Sequence, residues 1–151
     1  MITRLEGVDG LRDQVGADLG VSSWHDVTQA AIDAFAQATG DFQWIHVDVE
    51  RARASDFGST IAHGLYTLSL GPLLNTEVFD VAGFSFGLNY GFERVRYPAT
   101  LPVGARVRMH ALLLSATEVP GGIQIVVRQT FEREGADKPA CVADAVSRWI
   151  V

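Results

Sequence analysis

The chain has 151 residues, 48% of them hydrophobic, and 18 acidic against 12 basic side chains give it a net charge of −6. A domain of this length buries roughly 70% of the surface its unfolded form exposes, so one core without covalent staples is expected. The acidic balance and the lack of a dense Lys/Arg run exclude nucleic acid as a natural partner, because that affinity comes mainly from neutralising phosphates.

Leu5, Val8, Leu11, Val15 and Leu19 recur every three or four positions, which predicts a short amphipathic helix over residues 5 to 20 that ends near Gly20. This N-terminal extension, about residues 1–20, precedes the body of the domain. Thr28 is a fair N-cap for a second helix, with Ile32, Phe35, Ala36 and Thr39 on one face and Gly40 where a left-handed C-cap is wanted. Asp41 then lies just past a helix end.

From Ile61 to about Phe79 the apolar residues surround the helical wheel instead of forming a stripe, so this helix is expected to be buried. Pro72 lacks an N–H and would clash with the carbonyl of Leu68, which predicts a bend or a break into two pieces. After Val81 the segments 84–90, 92–98, 104–115, 123–134 and 140–150 read as strands. They are separated by turn signals at Pro102-Val103-Gly104, Pro120-Gly121-Gly122 and Gly135-Ala136-Asp137-Lys138-Pro139. Gly83, Gly87 and Gly91 match no phosphate-loop spacing and are read as permitting sheet curvature. Alternation in Val107, Met109, Ala111, Leu113 and in Ile123, Ile125, Val127 marks antiparallel strands with one packed face. A buried central helix followed by consecutive antiparallel strands is satisfied by an α+β hot-dog fold, in which one sheet wraps around the helix. Neither repeats nor linkers interrupt the chain, so residues 1–151 form one domain.

A single cysteine, Cys141, excludes an internal disulfide and any multi-cysteine metal site. The opening residues Met1 to Gly7 lack the apolar core of a signal peptide, and no apolar run is long enough to span a bilayer, so a cytoplasmic protein with no membrane partner is expected. Among chemistry-bearing residues, Asp41 and His46 stand five apart across a helix end. That spacing shares no helical face, so a returning loop has to join them. Each also has an ordinary reading, as a turn aspartate and as a packed histidine.

His63-Gly64 opens the buried helix, where unpaired N–H groups favour developing negative charge and a glycine admits close approach of a ligand. His63 alone reads most simply as a structural imidazole. A metal site built from His46-Val47-Asp48 with Asp41 and His63 lacks any established ligand spacing, and Asp48 serves better as the cap of a helix through Glu50-Arg51-Ala52. No metal or other cofactor is therefore expected. Ser59 and Ser69 lack a nucleophile-elbow context. Arg94 with Arg96, and Arg106 with Arg108, pair on strand faces and would suit the phosphates of an anionic ligand as well as solvent.

The run from Phe35 to Asp48, with Phe57-Gly58 and Ile61-Ala62-His63-Gly64 after it, resembles the MaoC-like R-specific enoyl-CoA hydratases. Asn89-Tyr90-Gly91, Val95-Arg96-Tyr97-Pro98 and Pro102-Val103-Gly104 extend the likeness over roughly residues 24 to 150. The Gln43-Trp44 form and Lys138-Pro139-Ala140-Cys141 look most like the nodulation-protein-N-like branch and a mycobacterial-type hydroxyacyl-thioester dehydratase. The commoner motif has Asn-Pro where this chain has Gln43-Trp44.

The resemblance implies a homodimer of hot-dog protomers, with Asp41 and His46 as the catalytic pair and Gly64 as backbone donor to a thioester carbonyl. It also implies His63, Ser59 and Asn89 as substrate-binding candidates. The activity it implies is reversible hydration of a trans-2-enoyl thioester in fatty-acid metabolism, carried on coenzyme A or on acyl carrier protein. An acyl-thioester hydrolase and a non-catalytic acyl-binding subunit would share the fold but give no reason for the Asp41–His46 pair.

Overall fold

The computed structural model describes all 151 residues. Its centre is an antiparallel sheet curled around a broken helix. Five strands run in the order β2 (Asp18–Val21), β6 (Arg106–Val119), β7 (Gly122–Arg133), β8 (Cys141–Ile150) and β5 (Phe86–Arg96), and the two-residue β3 (His25–Asp26) also pairs with β6. The concave face carries the core: Val107, Met109, Ala111 and Leu113 from β6, Ile123, Ile125, Val127 and Phe131 from β7, and Cys141 and Ala143 from β8. This is the expected hot-dog arrangement.

Against that face lie α5 (Gly64–Ser69) and α6 (Gly71–Val78). The expected break is present, with Pro72 in the first turn of α6, where its missing N–H costs nothing. Burial on all sides is not present within the protomer. Leu74 and Val78 are fully packed, but Leu65 is 62% exposed and Leu73 is 54% exposed. One sheet can cover only one side of a helix.

The N-terminal extension differs from its reading as one helix. Thr3–Glu6 is a strand, β1, paired in parallel with β4 (Phe79–Ala82); only Gly7–Asp13 is helical, as α1, and Asp18–Val21 joins the main sheet as β2. Leu5, Leu11 and Leu19 are all buried, so their spacing marks core positions supplied by three different elements. Gly20 sits inside β2, opposite Ala111, and not at a helix end.

The two strands expected at 84–90 and 92–98 are one strand, β5, which runs through Gly91 with register shifts on either side. Gly87 lies beneath the Trp149 ring, where a Cβ would come within 2.8 Å of it. The turns at Pro120-Gly121-Gly122 and at residues 135–139 join β6 to β7 and β7 to β8 as expected. No helix is long and apolar enough to cross a membrane.

Candidate active site

Helix α2 (Gln29–Thr39) delivers the first site residue. Thr28 caps it by accepting from the Ala31 N–H at 3.2 Å, and Gly40 closes it with φ +79°, a left-handed conformation that glycine adopts without strain. The chain therefore turns sharply into Asp41, whose carboxylate accepts from the Gln43 N–H at 3.3 Å. One helical turn follows, α3 (Trp44–Val47), and then α4 (Val49–Arg53), which Asp48 caps through the Arg51 N–H at 3.0 Å. This turn and short helix form the returning loop that the spacing of Asp41 and His46 required.

His46 is buried, and its Nδ1–H donates to the Ile61 carbonyl at 2.7 Å. A carbonyl only accepts, so Nδ1 carries a proton, and in the neutral ring Nε2 is the acceptor. His63 is also buried and stacks on His46, with ring centroids 3.8 Å apart and planes 26° apart. Its Nε2–H donates to the main-chain carbonyl of Asp41 at 3.0 Å, while its Nδ1 has no partner. Leaving such a buried atom unpaired costs about 1–3 kcal/mol.

One ligand atom each from Asp41, His46 and His63 lies within 4.8 Å of the others. The cluster is convergent, but the stacked rings aim their in-plane lone pairs along neighbouring planes instead of at one point, which is poor geometry for a shared metal ion.

Gly64, the first residue of α5, adjoins the stack. Its N–H has no acceptor within the protomer. A Cβ here would lie 2.9 Å from the Tyr97 ring, so only glycine lets that ring pack flat on the helix start. A cavity of about 310 Å³ opens beside these groups, lined by His46, Gly64, Thr67, Tyr97, Leu101 and neighbours. Burial, with Cys141 beside it, holds the Tyr97 phenol above its usual range.

Ser59 and Asn89 stand apart from this cluster. The Ser59 hydroxyl donates to the Thr60 carbonyl at 3.0 Å, and Asn89 lies on β5 in the wall of a separate cleft of about 1070 Å³ between that strand and α6. Arg106 and Arg108 pair with Glu134 and Glu132, whereas Arg94 and Arg96 are exposed without an ion pair.

Gln29 is a site residue the sequence did not disclose. Its Nε2–H donates to the His46 carbonyl at 2.8 Å, and its Oε1 accepts from Thr60 at 2.5 Å, tying α2, α3 and the Ile61 segment together. Its place in the first turn after the Thr28 cap is the only local signal.

The family model for the MaoC-like domain matches residues 12–134. The chain belongs to the MaoC-like family. Among its relatives, 3-hydroxyacyl-thioester dehydratase Z of Mycobacterium tuberculosis is 46% identical over 146 residues, covering 96% of this chain and 97% of that protein. Nodulation protein N of Rhizobium leguminosarum is 41% identical over 141 residues, covering 91% and 84%. Both branches named by the motif resemblance are thus present among the relatives. Among solved structures, a monoamine oxidase regulatory protein from Archaeoglobus superimposes with a TM-score of 0.79 at 22% identity, covering 99% and 97%. An R-hydratase from Pseudomonas aeruginosa gives 0.73 at 18%, covering 90% and 81%. At these identities the structural matches carry the MaoC-like hot-dog fold alone.

Proposed function

We propose that this MaoC-like protein catalyses reversible hydration of a trans-2-enoyl thioester to the (R)-3-hydroxyacyl thioester. The observation that carries the reading is that Asp41 and His46 bring ligand atoms within 4.8 Å of each other while His46 lines one cavity with Gly64, whose N–H has no acceptor. The dehydratase identity of a relative matched over nearly its full length supports the same reading.

Two acceptors facing one space hold a water by both of its hydrogens and direct its lone pair outward. As the water oxygen bonds to C3, one O–H breaks toward Asp41 or His46, and the C2–C3 π electrons move onto the thioester oxygen. The Gly64 N–H, at the positive end of α5, stabilises that oxygen. A proton returned to C2 on the same face completes the addition, and dehydration is the reverse. A fixed donor of this kind contributes on the order of 100 to 1000-fold in rate, and general acid–base assistance roughly 100 to 10,000-fold. An activated alkene needs no more.

Coenzyme A is the proposed carrier, because a surface of net charge −6 offers no broad basic face to an acidic carrier protein. A homodimer is proposed on the exposure of the β5 edge and of Leu65 and Leu73 on the central helices.

Asp41→Asn and His46→Ala should each lower crotonyl-CoA hydration at least about a hundredfold, followed as loss of the enoyl absorbance, with circular dichroism unchanged. Near wild-type turnover in either variant would refute the assignment.

A further inference from the structure

We propose that His63 is a positioning residue, setting the distance between the acid–base pair and the donor helix while contacting no substrate itself. The proposal rests on the hydratase reading of Asp41 and His46. Two hydrogen bonds and a helix start meet in the four residues Ile61–Gly64. The Ile61 carbonyl takes the His46 Nδ1–H at 2.7 Å, the His63 Nε2–H holds the Asp41 carbonyl at 3.0 Å, and Gly64 begins α5. One short segment thus fixes the base, the acid and the backbone donor relative to one another.

Asp41 needs that anchor because it is exposed and follows a left-handed glycine. Its only other main-chain tie is a long 3.4 Å bond from its N–H to the Thr39 hydroxyl. The His63 ring, meanwhile, is held between Phe35, at 4.9 Å between centroids, and His46, at 3.8 Å. A flat ring that also carries an N–H at its far end satisfies both demands. This explains why an imidazole occupies a site where one of its nitrogens is buried without a partner. The groups around it are Asp41 from the loop after α2, His46 from α3, and the uncharged Phe35 from α2.

Two amide variants separate positioning from bulk packing. The amide nitrogen of glutamine reaches where Nε2 stands, whereas that of asparagine reaches only the Nδ1 position. Misplacing a reacting group by an ångström costs about a hundredfold. His63→Asn should therefore lower kcat about 30- to 100-fold with KM changed less than about threefold, and His63→Gln should recover to within about tenfold of wild type. Equal losses in the two variants, or a loss confined to KM, would overturn the proposal.

Asp41→Asn measured alongside separates the two ideas: if it retains wild-type turnover the catalytic assignment of Asp41 falls, whatever the His63 variants do. The nitrogen NMR spectrum of the free protein tests the anchor without any turnover. An Nε2–H tautomer at His63 upholds it, and an Nδ1–H tautomer overturns it.

Discussion

Replacing Gly64 by alanine would place a methyl group 2.9 Å from the Tyr97 ring, on the residue whose N–H is proposed to receive the thioester oxygen. Overpacking of this kind costs about 1–3 kcal/mol. Gly64→Ala is expected to lower the thermal midpoint and to lose hydration through kcat, and a second change, Tyr97→Ala, should restore stability but not full turnover. Cys141 offers a separate test. It is fully buried, and burial pushes its thiol up to about 12, so a thiol reagent at pH 8 should label the native protein only as fast as β8 opens. Rapid stoichiometric labelling without denaturant would contradict that burial.

At this scale the helix caps were legible, since Thr28, Gly40 and Asp48 act through neighbours within four residues. Gln29, Thr60 and Tyr97 were not. Their contacts join positions 17 or more apart, and nothing in the local pattern marks such pairs.

Among the elements, α6 is tied to β3 by one carboxylate. Glu77 accepts from the Ser23 hydroxyl at 2.6 Å and the Ser23 N–H at 2.9 Å, and meets His25 Nε2 at 2.6 Å. The Ser23 hydroxyl bond, the largest effect, holds its carboxyl below the usual value of 4.5 against burial, with the Ser23 N–H and His25 adding to it. A group depressed in the folded state stabilises the fold above its unfolded value, and that stability is lost as pH falls through the folded value. Glu77→Gln should therefore cost about 1 kcal/mol in urea unfolding at pH 7. The two proteins should converge as the pH falls below 4.5 and through the depressed folded value.

Elements with strong internal rules, such as the Pro72 break and the hairpin at Gly121, could be read directly. The N-terminal elements could not. Strand–helix–strand and one continuous helix place Leu5, Leu11 and Leu19 in the core equally well, and the choice is made by β4 and β6, which lie far along the chain.

For the molecule as a whole, the outstanding feature is the bare edge of β5. Phe86, Leu88, Tyr90 and Phe92 are each 47–59% exposed on an eleven-residue strand with one unpaired side, a surface that proteins normally cover. Sedimentation should give a species near twice the 16.3 kDa chain mass. Leu88→Asp should give a folded monomer, and a monomeric wild type would remove the case for a dimer. The curl of the sheet around its helix was legible because alternation and all-round apolarity each imply a covered face; the uncovered side of the helices points to a second molecule that no local pattern describes.

The order of the strands also sets a timetable. Asp18 in β2 finds its neighbour Leu112 only after more than ninety further residues have been made. At roughly 5–20 residues per second, that is about 5–20 s of synthesis. Throughout that interval the early segments have no ladder to join, and the apolar residues of α5 and α6 leave the ribosome before β6, β7 and β8 exist to receive them. Nascent chains of this protein should accordingly depend on chaperones that shield exposed helices, and synonymous slowing of codons just upstream of β6 would prolong that exposure.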